Sequence, residues 1–213
     1  MKVVVFGAAG TIGRRLIDQL LSQHHQVLAY DRNIDQWLDK SKEQSQLVIV
    51  KGYLLDRKEV EKAIRGGDII FFVVSGEKEP GDITRSGGIR QVIAGMVATG
   101  VKRLLIVGDF LLLEDLEGTM LADRDDFPAE QSYYAEEYKK MWQQIQASQL
   151  EWTVVCPFQV YDGPEEKAYS TFRQYINEND YLPISTGDLC RFMSREMTQN
   201  EFLQKRVGIA STN

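Results

Sequence analysis

KVVVFGAAGTIGRRL, residues 2–16, sets the architecture of this 213-residue chain. Its first part, residues 2–7, is a run of β-branched and aromatic residues, which predicts a strand buried on both faces. Residues 14–23 then carry leucines at helical spacing, which predicts a helix with one buried side. A glycine-rich turn joins the two elements, and this order is typical of a dinucleotide site.

The turn itself reads GAAGTIG, with glycines at Gly7, Gly10 and Gly13. In such turns the first glycine permits a sharp bend, the second lets backbone approach a pyrophosphate, and the third lets helix and strand pack closely. The start of the following helix offers unpaired amide groups to phosphates. We therefore expect the whole turn to contact the cofactor, including Ala9, Thr11 and Ile12.

The chain alternates strands and helices outward from this turn. Further strands are predicted at residues 26–31, 47–50, 68–76, 103–107, 152–156 and 206–210. Helices are predicted at residues 57–65, 129–148 and 165–177, in a long segment ending near residue 100, and from residue 188, with a short apolar piece at 181–184. This alternation predicts one α/β domain with a parallel sheet, whose ligands bind beyond the carboxyl ends of its strands.

Composition narrows the classes of partner. A net charge of −6 and a pI near 5.1 argue against nucleic acid, whose phosphates need a basic face. The apolar run after Met1 is too short for a signal peptide or a membrane span. Cys156 and Cys190 lie in apolar settings without metal-ligand spacing, so we expect two reduced thiols, no metal site and a cytoplasmic protein.

The end of the second predicted strand bears on the choice of cofactor. Asp31 lies 18 residues after Gly13, where a carboxylate accepts hydrogen bonds from the adenosine ribose and repels a 2′-phosphate. Arg32 follows at once and could pair with that phosphate instead. The two residues favour different cofactors; we expect NAD, with NADP possible.

The sequence resembles the atypical short-chain dehydrogenase/reductase family, in the NAD(P)H-binding group of NmrA-like proteins and flavin/biliverdin-type reductases. The landmarks are the glycine turn, GYLLD at 52–56, GVKRLLIVG at 100–108, SQLEWTVVCP at 148–157, ISTGDLCRF at 184–192 and KRVGIAS at 205–211. The resemblance implies a Rossmann-type doubly wound sheet in the order 3-2-1-4-5-6 plus one further strand.

The resemblance also implies a set of cofactor contacts. Tyr53 and Leu54 are expected beside the adenine, and Val74, Ser75 and Gly76 along the cofactor backbone. Residues expected around the nicotinamide are Val107, Gly108, Asp109, Pro157 and Phe158.

The catalytic pair of the wider superfamily is incomplete in this sequence. That pair is YxxxK, and counting back from SQLEWT puts Lys139 at the lysine position but Ala135 at the tyrosine position. Lys139 is then expected to point into the cleft and hold the cofactor. Tyr134 and Asp109 remain catalytic candidates, although a one-residue offset turns a helical side chain by about 100°. Helix-packing or surface tyrosines are the alternative interpretation of Tyr133, Tyr134 and Tyr138.

Two functions follow as hypotheses. The first is hydride transfer between NAD(P)H and a flat small-molecule acceptor such as a flavin or quinone. The alternative is a non-catalytic sensor of NAD(P) that acts through a protein partner. Sugar-nucleotide epimerisation ranks third because its acid/base tyrosine is missing. The acidic stretch from Glu114 to Asp126 lacks the spacing of a calcium loop and is interpreted as a solvated loop or a wall over the nicotinamide.

Overall fold

A computed structural model describes residues 1–36, 45–76, 79–124, 127–128, 132–166, 168–172 and 182–212. These residues form ten strands: β1 Lys2–Phe6, β2 Gln26–Asp31, β3 Leu47–Lys51, β4 Ile69–Phe72, β5 Arg103–Val107, β6 Glu151–Pro157, β7 Val160–Tyr161, β8 Tyr169–Phe172, β9 Ile184–Ser185 and β10 Lys205–Ser211. The α-helices within the described ranges are α1 Thr11–Ser22, α2 Arg57–Ile64, α3 Thr84–Thr99, α4 Ser132–Ala147 and α5 Thr186–Gln199.

Eight of these strands form one sheet in the order β3-β2-β1-β4-β5-β6-β10-β8. β1 pairs in parallel with both β2 and β4, with Val3 opposite Val27 on one side and Ile69 on the other. The predicted α/β fold and its order 3-2-1-4-5-6 are confirmed, and β10 is the further strand. The order reverses direction at β1, so a crevice opens beyond the carboxyl ends of β1 and β4.

Helices cover both faces of the sheet and bury two apolar clusters. One cluster joins α2, α3 and α4 to the sheet, and in it Trp142 and Trp152 meet edge to face at 5.2 Å. The other joins α1 and α5 to the opposite face through residues such as Leu16 and Met193. Burial of each leucine or methionine side chain stabilises the folded state by about 1.5–3 kcal/mol. Because helices cover both faces of the sheet, β1, β4 and β5 are almost wholly apolar.

The predicted helix at residues 165–177 is wrong where the structure describes it. Residues 169–172 form β8, which pairs antiparallel with β10 at the sheet edge; residues 173–181 lie outside the described residues. Gly208 of β10 lies opposite Phe172, and a Cβ there would come within 1.9 Å of the Phe172 ring. The pairing is a tertiary contact that local helical spacing does not register.

Smaller differences concern where elements begin and end. The apolar strand predicted at residues 68–76 is a strand only to Phe72, and its last residues form the floor of a cleft. α5 begins at Thr186, because Ser185 accepts a hydrogen bond from the Asp188 amide at 3.0 Å and caps the helix. No helix among the described residues has the length and apolar character that crossing a membrane requires.

Candidate functional site

Two of the three glycines in the turn after β1 are required by close packing. Gly7 has φ +89°, and a Cβ there would lie 2.7 Å from the Val73 carbonyl oxygen. A Cβ on Gly13 would lie 2.2 Å from the Gly7 carbonyl oxygen, so α1 could not approach β1 with any larger residue. These contacts keep the turn tight and hold the start of α1 at the crevice.

Gly10 has a different role. Its backbone is extended, with φ −70°, and the nearest atom to a Cβ there would be the Gly7 carbonyl oxygen at 3.4 Å. Among the described residues no side chain caps α1, and its first amide groups have no side-chain acceptor there. A glycine open to a cleft beside an uncapped helix start fits a pyrophosphate, which binds through backbone amides and the helix dipole.

A cleft runs from this turn across the ends of β1, β2 and β4. It is lined by Gly7, Ala9, Gly10, Tyr30, Asp31, Arg32, Asn33, Gly52, Leu54, Val73, Val74, Ser75, Gly76 and Thr84. Asp31 lines this cleft, and its carboxylate accepts hydrogen bonds from the Ala9 amide at 3.3 Å and the Asn33 amide at 2.8 Å. These bonds orient the carboxylate at the place where a ribose hydroxyl is expected.

Tyr53, which is expected beside the adenine, is not among the residues that line this cleft. The residue is 63% exposed, while its neighbours Gly52 and Leu54 form the cleft wall. The backbone sets this orientation, because the Tyr53 amide donates to Glu59 at 3.0 Å and its carbonyl accepts from Tyr30. Thr11 is also exposed and outside the lining.

A second cleft continues from the first and shares Val73, Val74 and Ser75 with it. Its lining is completed by Ile12, Val107, Gly108, Asp109, Phe110, Leu111, Phe127, Tyr134, Tyr138, Pro157, Phe158, Gln159 and Val160. The residues expected around the nicotinamide are therefore brought together here. Phe127 and Gln159 also line this cleft but were not predicted, because nothing in the sequence around them indicates a ligand site.

α4 presents a different face to this cleft than the counting from SQLEWT predicts. Ala135 is buried against Leu111 and Ala122 and does not line the cleft. Lys139, four residues later on the same face, does not line the cleft; its ammonium pairs with Asp123 at 2.8 Å and Glu136 at 2.5 Å. The expectation that Lys139 points into the cleft is therefore wrong, because α4 is rotated to pack Ala135 on the loop after β5.

Tyr134 and Tyr138 occupy the cleft-facing stripe of α4. Their rings meet edge to face at 5.0 Å, and the Tyr134 hydroxyl donates to the Asp109 carboxylate at 3.0 Å. Burial raises the pKa of Tyr134 far above its ordinary value, and the neighbouring Tyr138 and Asp109 raise it further. Burial also raises the pKa of Tyr138. Both phenols are therefore protonated at neutral pH and act as hydrogen-bond donors.

The loop after β5 forms the outer wall of the second cleft. Phe110 on this loop meets Phe158 at 4.9 Å between ring centroids. Arg206 of β10 binds the Leu112 carbonyl and the Glu114 carboxylate, and its guanidinium stacks over Trp142. The loop is thus anchored to the sheet as a wall. Part of the acidic stretch is engaged in ion pairs; Asp125 and Asp126 lie outside the described residues.

The two cysteines are free and buried, and burial raises the pKa of each thiol, that of Cys190 to about 12. Both are therefore unreactive thiols at neutral pH. His24 and His25 follow α1, at the end of the sheet opposite the clefts. Among the described residues, no group of three or more His, Cys, Asp or Glu side chains is placed to hold a metal ion.

This structure is that of a dinucleotide-binding α/β protein, as the order of its sheet, its glycine turn and its two adjoining clefts indicate. Residues 7–200 match the family model described as NAD(P)H-binding, so the chain belongs to that family and its cofactor is a nicotinamide dinucleotide. No curated protein matches the chain.

Several solved structures share the fold. One is a candidate NADH-flavin reductase from Streptococcus pneumoniae, with 22% identity, TM-score 0.82 and full coverage of both chains. Another is a short-chain dehydrogenase/reductase from Veillonella parvula in complex with NADP, with 15% identity, TM-score 0.82, and coverage of 100% of this chain and 95% of the other. A candidate epimerase from Bacteroides thetaiotaomicron has 19% identity, TM-score 0.84 and coverage of 100% and 97%. At these identities the likeness shows the fold alone.

Proposed function

We propose that the chain is an NAD(P)H-dependent oxidoreductase whose acceptor is a flat conjugated molecule of the flavin or quinone type. The observation that carries this proposal is the aromatic lining of the second cleft. Phe110 and Phe158 form one part of its wall and Tyr134 and Tyr138 another. Aromatic rings favour stacking and edge contacts with a planar ligand, at about 0.5–1.5 kcal/mol for each good pair.

The first cleft supplies the residues that would hold the cofactor. Gly10 and the start of α1 face the pyrophosphate, Asp31 the adenosine ribose, and Val74, Ser75 and Gly76 the stretch between the two clefts. When bound, the dinucleotide supplies a hydride from nicotinamide C4: it is oxidised to NAD(P)⁺, and the acceptor gains two electrons and one proton and takes a second proton from solvent.

Tyr134 suits reduction of a conjugated acceptor better than oxidation of an alcohol. Its raised pKa keeps the hydroxyl protonated, so it can donate a hydrogen bond but cannot serve as the base that an alcohol requires. In this structure the hydroxyl donates to the Asp109 carboxylate at an O–O distance of 3.0 Å, so it must turn from Asp109 to the ligand in order to donate to the acceptor. A flavin or quinone spreads negative charge over its rings and needs only a donor, whereas a ketone develops a localised alkoxide that a positioned acid must protonate.

The test follows NADH and NADPH oxidation at 340 nm with riboflavin, menadione and cyclohexanone as acceptors. We expect turnover with riboflavin or menadione, and a kcat/KM for cyclohexanone lower by at least about 100-fold, the lower range of what a positioned acid contributes. Equal turnover of the ketone would make the protein a tyrosine-dependent carbonyl reductase. Tight NADH binding without turnover of any acceptor would contradict the proposal and favour the sensor with a protein partner.

A further inference from the structure

A buried arginine lies behind the second cleft and has no role in the function argued above. Arg85 is in the first turn of α3 and only 3% exposed, although a cation at a helix start is electrostatically unfavourable. Its Nη1 pairs with the Asp82 carboxylate only at 3.9 Å. Its Nε has no hydrogen-bond partner within the described part of the chain. A cation placed at this cost needs a compensating interaction.

The compensating groups are the two cleft tyrosines. The Arg85 guanidinium carbon lies 4.9 Å from the Tyr134 ring centroid and 4.7 Å from that of Tyr138. Both contacts are within the range of cation–π attraction, which strengthens when the cation is desolvated. Arg85 therefore contacts the rings of both tyrosines that line the second cleft, and the hydroxyl of one of them, Tyr134, donates to Asp109.

Arg85 also contacts the floor of the first cleft. Gly76 has φ +64°, and a Cβ there would lie 2.8 Å from Arg85 Nη1 and 2.7 Å from Asp82 Oδ2. The guanidinium thus fills the space between the Val74–Gly76 segment and α4. It is the one cation that the described residues place against both tyrosines.

We propose that Arg85 is the positioning residue of the site, a cation supplied from α3 that polarises Tyr134 and Tyr138 toward the acceptor in place of a lysine on α4. Its field opposes that of Asp109, because Arg85 lowers the pKa of Tyr134 while Asp109 and burial raise it. The Tyr134 hydroxyl becomes a better donor to the charge that the acceptor gains. This role rests on the proposed function only as far as the acceptor is concerned.

The kinetic test compares Arg85→Gln, Arg85→Lys and the matched control Arg90→Gln, an exposed arginine on the same helix. With riboflavin or menadione we expect kcat to fall at least tenfold in Arg85→Gln, to recover in part in Arg85→Lys, and to stay unchanged in Arg90→Gln, while NADH affinity remains within twofold. In a Tyr134→Phe background, Arg85→Gln should cost less kcat than it does in the wild type, because only Tyr138 is left for the cation to act on. An equal loss in both backgrounds, or equal losses in the lysine and glutamine variants, would overturn the role.

A second measurement does not depend on turnover. Protein labelled with ¹³Cζ-tyrosine reports the electronic state of each phenol by NMR, and Tyr134→Phe and Tyr138→Phe assign the two resonances. Both should move in Arg85→Gln, return toward the native position in Arg85→Lys, and stay fixed in Arg90→Gln. Unmoved resonances would overturn the proposal even if riboflavin is turned over; moved resonances without turnover would reject the acceptor alone. Arg85→Met, an uncharged side chain of similar length, replaces Arg85→Gln if that variant does not fold.

Discussion

Among single residues, the glycines of the turn after β1 have different roles: Gly10 serves cofactor binding and Gly13 serves the packing of the fold. Gly10→Val should abolish NADH binding with little change in Tm, since its side chain would project into the cleft and meet no protein atom closer than 3.4 Å at Cβ. Gly13→Ala is the contrasting variant: its methyl group would meet the Gly7 oxygen at 2.2 Å and should lower Tm. Fluorescence titration with NADH and thermal unfolding check both. Native affinity in Gly10→Val would rule out the pyrophosphate site.

Asp31 bears on the choice between NAD and NADP. We expect wild type to bind NADH more tightly than NADPH, because the carboxylate faces the ribose end of the first cleft. Asp31→Ala should narrow or reverse the preference, since Arg32 lines the same cleft and can pair with a 2′-phosphate. Paired titrations with both cofactors measure this. Wild-type protein that binds NADPH tenfold more tightly, about 1.4 kcal/mol, would show that Arg32 dominates.

Tyr134 predicts a dependence of stability on pH. Its pKa in the folded protein is raised above the unfolded value of about 10, so the folded state retains a proton that the unfolded state loses. The stability difference between wild type and Tyr134→Phe should be constant below pH 10 and should shift against wild type as the pH rises above 10. Urea unfolding between pH 8 and 11 measures it. A constant difference throughout would mean that the Tyr134 pKa is not raised.

At the scale of elements, α4 shows where the sequence is informative and where it is not. Its existence and length follow from local pattern, but its rotation does not. Ala135 and Tyr134 are about 100° apart around the helix, and the choice between them depends on Leu111 and Ala122, which belong to a distant loop. The position of Arg85 was not predictable for the same reason, because the rings that it contacts, Tyr134 and Tyr138, belong to α4.

This rotation changes the outcome expected for Lys139. Because its ammonium pairs with Asp123 and Glu136 on the loop side, Lys139→Ala should leave NADH affinity and kcat within about twofold of wild type, as surface ion pairs are worth about 0–1 kcal/mol. Tyr134→Phe, on the cleft side, should lower kcat with riboflavin or menadione. Titration and steady-state kinetics on both variants decide. A tenfold weaker NADH affinity in Lys139→Ala would restore the cofactor role expected from the YxxxK spacing.

At the scale of the whole molecule, a buried ion pair joins α5 to the sheet at the end opposite the clefts. Glu196 binds Arg103 at 3.0 Å and also accepts from Thr153 and from the Phe202 amide. Glu196→Gln removes the carboxylate charge that compensates the buried guanidinium and should cost about 3–5 kcal/mol of unfolding free energy. Glu61→Gln breaks the exposed pair with Arg65 and should cost at most about 1 kcal/mol.

Urea denaturation measures both changes, and NADH titration should show native affinity in each variant. An equal cost for Glu196→Gln and Glu61→Gln would contradict the structural role of the buried pair.

A parallel sheet was predictable because β1, β4 and β5 are buried on both faces and almost wholly apolar, whereas the order of its strands followed from the family resemblance. The glycine turn and Asp31 were predictable because a dinucleotide site imposes local spacing. β8 was not, since its pairing depends on Gly208 across the sheet. The aromatic lining of the second cleft was only partly predictable. Phe158 was expected there, but Phe127 was not, because the two rings lie on separate segments that meet only in the fold.

We infer that the two clefts form one continuous site, with the dinucleotide in the first and its nicotinamide facing the aromatic second. A crystal structure of the protein with NADP or NAD would show where the cofactor binds. We expect the pyrophosphate against Gly10 and the start of α1, and the nicotinamide ring beside Val107, Pro157 and Tyr134, with its C4 open to the space between Phe110 and Tyr138. A dinucleotide bound outside the glycine turn, or a nicotinamide directed away from the second cleft, would contradict it.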